Sequence, residues 1–147
     1  MRNIRIGDYL VEQQLITAEQ LQQVLTAQKE NGDKRFSEIV VELGFISEVS
    51  LSKALEQKLR VPYMDLSNID IDAEAVRRIP ESLAKKYTVI AINIQGRRLT
   101  VATDDPINFD ILEDIRMQTG MYVIPVLATK SAINKAIRNM YSNDVAG

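Results

Sequence analysis

The first 59 residues place apolar side chains at helical intervals, with little of the alternation that indicates strands. Residues 5–28 (RIGDYLVEQQLITAEQLQQVLTAQ) and 35–58 (RFSEIVVELGFISEVSLSKALEQK) repeat one pattern. Each copy opens on an arginine and continues as a short and then a longer amphipathic segment. Thr17 and Ser47 precede the longer segments, where a hydroxyl side chain caps a helix. The pattern predicts two repeated helix pairs in a small bundle.

After Val61-Pro62 the pattern changes. YMDL at 63–66 predicts a short edge strand. Two helices are predicted by the apolar spacing that follows, at 71–79 and 81–87.

Residues 89–94 (VIAINI) and 98–103 (RLTVAT) are rich in β-branched side chains. They flank the sequence Gln-Gly-Arg at 95–97. Apolar runs separated by a short glycine-containing turn predict a β-hairpin.

Asp105 and Pro106 suit the N-cap and the first position of a helix over 107–118. YVIPVL at 122–127 predicts a third strand, and Thr129 suits the cap of a final helix.

The expected fold class is therefore α+β, with a helical bundle before a small α/β lobe whose helices cover a short sheet. We expect the bundle at 1–60, the α/β lobe at 61–142 and the start of a linker at 143–147.

Composition narrows the function classes. The 147 residues include 46% hydrophobic and 26% charged side chains, with a net charge of −2. Such a balance is ordinary for globular proteins and offers no polycationic footprint for DNA or RNA. No apolar run approaches the roughly 20 residues of a membrane span, so we expect no direct membrane insertion. The sequence has no Cys, so it offers no disulfide or thiolate metal site.

Catalytic chemistry is poorly represented. The sequence has no His or Cys, and its six glycines do not form a phosphate-binding loop. We therefore expect no enzymatic activity, no catalytic residue, no metal site and no required cofactor in this chain.

The arginine that opens each copy can form a paired hydrogen bond to phosphate or stack on a base. Helix starts favour anions, and Gly7 allows close approach to the backbone. Two such units would suit a ligand with two purines and two phosphates. Burial in a duplicated helical core explains the leucines equally well, and solvation at the surface explains Arg5 and Arg35.

The motif R-[LI]-G-x-x-L, followed by L-x-x-x-L-x-x-Q, resembles the N-terminal domain of bacterial type II secretion and type IV pilus motor ATPases. Further segments resemble the same family in the same order: LRVPYMDL, RRIPESLAKKY, LTVATDDP, TGMYVIPVLAT and INKAIRNMY. The resemblance implies an accessory domain that precedes a separate ATPase core.

In one branch of that family, two tandem motifs bind cyclic di-GMP. The resemblance therefore implies cyclic di-GMP as the candidate ligand. From the first copy it implies as contacts Arg5, Ile6, Gly7, Leu10, Leu21, Leu25 and Gln28; from the second copy Arg35, Phe36, Val40, Leu51 and Leu55; and from the second lobe Asp105.

The second copy departs from the motif. Ser37 replaces the glycine, Lys58 replaces the glutamine, and the spacer at 29–34 is one residue longer than expected. The first half-site is therefore complete, whereas the second is altered.

Three functions remain open. The chain could be a cyclic di-GMP sensor coupled to the C-terminal ATPase core of the same protein. It could instead dock the ATPase onto an inner-membrane assembly platform protein without any nucleotide. A third possibility is the same sensing unit in another host, such as a glycosyltransferase or a regulator. In the first two cases we expect a bacterial cytoplasmic protein, peripheral to the inner membrane through its partners.

Overall fold

The computed structural model describes residues 6–106 and 108–146, with side chains up to Tyr141. Eight α-helices and one three-stranded sheet form in this part of the chain, which confirms the expected α+β class. The chain divides into two units that part between Lys58 and Leu59.

Unit 1 is the helical unit, and two of its helices begin where the sequence places a capping hydroxyl. The Thr17 hydroxyl accepts a hydrogen bond from the Gln20 N–H (3.0 Å), and the Gln20 side chain accepts one from the Thr17 N–H (2.9 Å). Ser47 likewise accepts from the Ser50 N–H (3.1 Å). Both predicted caps are confirmed. The helices are α1 (Ile6–Glu12), α2 (Ala18–Glu30), α3 (Phe36–Glu42) and α4 (Glu48–Leu59).

Unit 2 contains the sheet. Strand β1 (Val89–Gln95) pairs antiparallel with β2 (Arg98–Thr103), and β2 pairs parallel with β3 (Tyr122–Leu127). Gly96 adopts a φ of +61° in the turn between β1 and β2, a conformation that glycine reaches without strain. The hairpin and the third strand are thus confirmed. The sequence did not predict the irregularity in β1 between Ala91 and Asn93.

Four helices complete unit 2, and buried aliphatic side chains such as Ile90, Leu99 and Ile133 fill the space between them and the sheet. Within the described residues, no helix is long and apolar enough to cross a bilayer. The helices are α5 (Ala73–Val76), α6 (Glu81–Tyr87), α7 (Phe109–Thr119) and α8 (Lys130–Ala146).

Two predicted elements are shorter than expected. The strand at 63–66 is reduced to one bridge between Tyr63 and Leu127, because a 3₁₀ turn begins at Leu66. The helix at 71–79 covers only Ala73–Val76. Its backbone then turns, and Pro80 precedes α6. The helix α8 runs to Ala146, into the segment where we expected a linker to start.

The prediction that Asp105 caps α7 is wrong. The Asn108 side chain is the cap and accepts a hydrogen bond from the Ile111 N–H (3.4 Å). The Asn108 N–H itself donates to the Asp105 carbonyl (3.1 Å), which closes a turn. Pro106 occupies the second position of that turn, where proline is favoured. Asp105 and Pro106 therefore belong to a turn that precedes the helix.

The outer edge of β3 is shaped by Pro125. The Tyr122 N–H donates to the Arg97 carbonyl and the Ala128 N–H donates to the Thr103 carbonyl, so both N–H groups point toward β2. Since N–H groups alternate along a strand, position 125 points its nitrogen away from β2, where proline loses no ladder hydrogen bond. Farther along the edge, the Leu127 N–H donates to the Pro62 carbonyl (2.7 Å).

The cap assignment can be tested by substitution. Asn108→Ala removes the side-chain acceptor at the start of α7 and should lower the free energy of unfolding by about 1 kcal/mol. Asn108→Asp retains an acceptor and should restore most of that loss. Urea denaturation followed by circular dichroism measures both. Equal destabilisation by the two substitutions would contradict the cap.

Candidate functional site

The two copies of the repeated segment meet at Gly7. A β-carbon placed on Gly7 would stand 2.5 Å from Leu21 Cδ1 and 3.2 Å from Phe36 Cζ. Leu21 belongs to the first copy and Phe36 to the second. Three of the predicted site residues are therefore neighbours, and the missing side chain at Gly7 serves close contact within the protein itself.

The predicted site residues fall into two classes of exposure. Leu10, Val40, Leu51 and Leu55 are buried, and their surfaces are closed to a ligand in this conformation. Their roles as contacts stay predictions that require unit 1 to open. Arg5 lies outside the described residues. The others in unit 1 are half-buried or exposed: Ile6, Gly7, Leu21, Leu25, Gln28, Arg35 and Phe36.

The two copies are not equally open. Leu25 is 37% exposed and Leu21 is half-buried, whereas their counterparts Leu55 and Leu51 are only 4% and 5% exposed. Apolar side chains that could cover a purine face are therefore available from the first copy. These leucines are identical in the two copies of the sequence, but their exposures differ in the structure.

An open depression of about 310 Å³ lies on α2 beside Leu25 and Gln28. Sequence reasoning missed its other lining residues. Helical spacing could have identified them, because residues three and four positions apart share one helix face. These additional residues are Gln22, Thr26 and Lys29.

Acidic neighbours partly neutralise the cations at the start of α3. Glu38 Oε1 accepts a hydrogen bond from the Arg35 N–H (3.0 Å) and lies 3.7 Å from Arg35 Nε. Lys34 Nζ lies 2.8 Å from Glu42, whose hydrogen bond and charge raise the pKa of Lys34. Such partly exposed ion pairs contribute little and exchange readily. A phosphate could therefore compete with Glu38 for Arg35.

Lys58, which replaces the motif's glutamine, has a contact of its own. Its Nζ lies 5.4 Å from the centre of the Tyr9 ring, within range of a cation–π interaction. The contact joins the end of the second copy to the first copy.

Asp105 belongs to unit 2 and is half-buried. Its backbone N–H donates to the Thr103 hydroxyl (3.0 Å). Its predicted contact with a base edge stays a prediction. In the part of the chain with described side chains, no group of three or more acidic residues is placed to hold a metal ion.

The helical repeat and the mixed sheet define an α+β fold. The MshEN domain family matches residues 59–147, more than half of the chain. The chain therefore belongs to the MshEN domain family, the N-terminal domain of type II secretion and type IV pilus ATPases, which confirms the resemblance seen in the sequence.

Proteins with two different descriptions resemble the chain over nearly its whole length. The type IV pilus assembly ATPase PilB of Myxococcus xanthus is 31% identical over 94% of this chain and 24% of PilB. Bacteriophage adsorption protein B of Escherichia coli is 27% identical over 96% of this chain and 19% of that protein. The chain thus spans about a quarter or less of these relatives. A solved structure of MshE with cyclic di-GMP has a TM-score of 0.82 and 32% identity, covering 95% of this chain and 100% of that chain.

The close approach at Gly7 predicts an unusual response to alanine. Alanine favours a helix by about 1 kcal/mol over glycine, but overpacking costs about 1–3 kcal/mol. Gly7→Ala must displace Leu21 and should lower the free energy of unfolding by about 1 kcal/mol. Ser37→Ala, at the equivalent position of the second copy, should leave it unchanged or slightly raised. Urea denaturation of both variants measures the difference, and a stabilising Gly7→Ala would rule out the tight contact.

Proposed function

We propose that the chain is the regulatory N-terminal domain of a bacterial secretion or pilus motor ATPase and that it binds cyclic di-GMP through its tandem segments. The observation that carries the proposal is the likeness to MshE solved with cyclic di-GMP, at 32% identity over the whole of that chain. The parent protein would act in the cytoplasm, with its ATPase core as the domain's partner.

The open surface of the first copy supports the messenger hypothesis. Leu21 and Leu25 present apolar side chains that can cover a guanine, and Gln28 presents an amide that can hydrogen-bond a base edge. Arg35 brings a guanidinium from the second copy, suited to a phosphate. Gly7 holds the two copies within contact distance. The first copy would therefore supply the stronger half-site.

Regulation would follow from differential binding. A ligand that contacts both copies favours the arrangement of helix pairs in which both contacts form. It can shift the ATPase only as far as it binds one arrangement more tightly than another. The affinity of the second half-site therefore limits how strongly the messenger could control the motor.

Calorimetric titration tests the proposal. Cyclic di-GMP should bind in the micromolar range or tighter, and Arg5→Ala or Arg35→Ala should each weaken binding at least tenfold, or about 1.4 kcal/mol. Arg77→Ala is a matched control, because Arg77 also pairs with a glutamate three positions away, at 3.1 Å. It should change the affinity less than twofold. A flat titration of the wild-type protein at high concentration would refute messenger binding.

The altered second copy makes a second prediction. If Ser37 obstructs the ligand, Ser37→Gly should tighten binding of cyclic di-GMP about threefold or more, whereas Gly7→Ser should weaken it at least tenfold. The opposite signs separate a ligand effect from general loss of stability, which circular dichroism checks in parallel. An unchanged affinity in both variants would show that neither position faces the messenger.

Docking to an inner-membrane assembly platform protein is the second candidate function. The observation that favours it is the burial of Leu51 and Leu55, which closes the second half-site in this conformation. Co-purification with the platform protein that persists in Arg35→Ala and without nucleotide would support docking. Co-purification that requires cyclic di-GMP would favour the messenger function.

A further inference from the structure

One face of the sheet in unit 2 is open at the ends of β2 and β3 nearest the hairpin turn. Leu99 and Val101 point to the buried face of β2, so their neighbours along the strand point to the opposite face. Tyr122 and Ile124 are 66% and 40% exposed on β3. The register places two rows on the open face, Gln95–Arg98–Tyr122 and Asn93–Thr100–Ile124.

A depression of about 560 Å³ adjoins this face through Tyr122. It lies where the turn between β1 and β2 meets the segment between α7 and β3, and Arg97 donates a hydrogen bond to the Gly120 carbonyl there (3.3 Å). Met117, at 77% exposed, forms an apolar wall. We call this combined area the Tyr122 surface; it consists of the two rows and the lining residues Arg97, Arg116, Met117, Gly120, Met121 and Tyr122.

The charge of the Tyr122 surface differs from that of the whole chain. The sequence carries a net charge of −2, yet the depression is lined by two arginines and no carboxylate, and Arg98 lies beside it. Arg97 has further N–H donors beyond its bond to Gly120. Arg116 pairs with Glu113, but both side chains are half exposed, so an incoming carboxylate can replace Glu113 at little cost.

We propose that the Tyr122 surface binds an acidic peptide segment of a partner protein, with its carboxylates at Arg97 and Arg116 and an aromatic or aliphatic side chain on Tyr122 and Met117. Arginine, tyrosine and methionine are enriched in protein interfaces, and arginine forms paired hydrogen bonds to carboxylates. A sheet face that adjoins an open depression through Tyr122 offers an extended contact, as a peptide requires. The proposal is independent of messenger binding, because the residues that define the Tyr122 surface all belong to unit 2.

Selection from random dodecapeptides displayed on phage tests the proposal with the whole chain as bait. The enriched peptides should combine acidic residues with an aromatic or aliphatic residue. Synthetic versions should bind Arg97→Glu at least tenfold more weakly than the unsubstituted chain, by fluorescence polarisation. Arg77→Glu, the same substitution at an exposed arginine of the same unit, should change affinity less than twofold. Tyr122→Ala should weaken binding about fivefold.

The outcomes separate the alternatives. Raising NaCl from 50 to 500 mM should weaken the binding of the peptides, because salt screens exposed charge pairs. Enrichment of peptides without acidic residues, equal binding by Arg97→Glu, or no enrichment at all would overturn the proposal. Displacement of the peptides by millimolar inorganic phosphate would assign the depression to a small anion instead. Thermal melting of each variant establishes that the substitutions leave the fold intact.

Discussion

The contact of Gly7 with Leu21 and Phe36 is the constraint on which unit 1 depends. A larger residue at position 7 would require Leu21 to move and would crowd the ring of Phe36. Through this contact the first copy of the repeat holds the beginning of the second. The second copy has Ser37 at the equivalent position and therefore cannot form an identical approach. The two copies of the repeat therefore differ at this position, before any ligand is considered.

That asymmetry extends to the surface. Leu25 is accessible while Leu55 is buried, and Lys58 lies over Tyr9 instead of supplying an amide. A two-part ligand on such a unit would gain unequal free energies from its two halves. The stronger half-site would contribute most of the affinity. The weaker half-site would determine how far the ligand shifts the arrangement of the helix pairs, because only a ligand that bridges both copies favours one arrangement over another.

Much of this architecture could be predicted from the sequence, since it depends on local chemistry. The caps at Thr17 and Ser47 and the turn at Gly96 follow from short-range hydrogen bonds and backbone freedom. The cap of α7 could not, because Asp105 and Asn108 both suit it and the choice depends on the turn that Pro106 favours. The difference between Leu25 and Leu55 was equally hidden, since identical residues at equivalent repeat positions gain their exposure from tertiary neighbours.

Pro125 has a consequence for strand pairing at the outer edge of β3. A foreign strand laid along β3 would find no donor at position 125, and the Leu127 N–H is already engaged by Pro62. This edge of the sheet therefore resists extension by another polypeptide strand. Edge-to-edge aggregation along β3 is therefore disfavoured. A partner at this edge must bind through side chains, and such contacts are readily reversible.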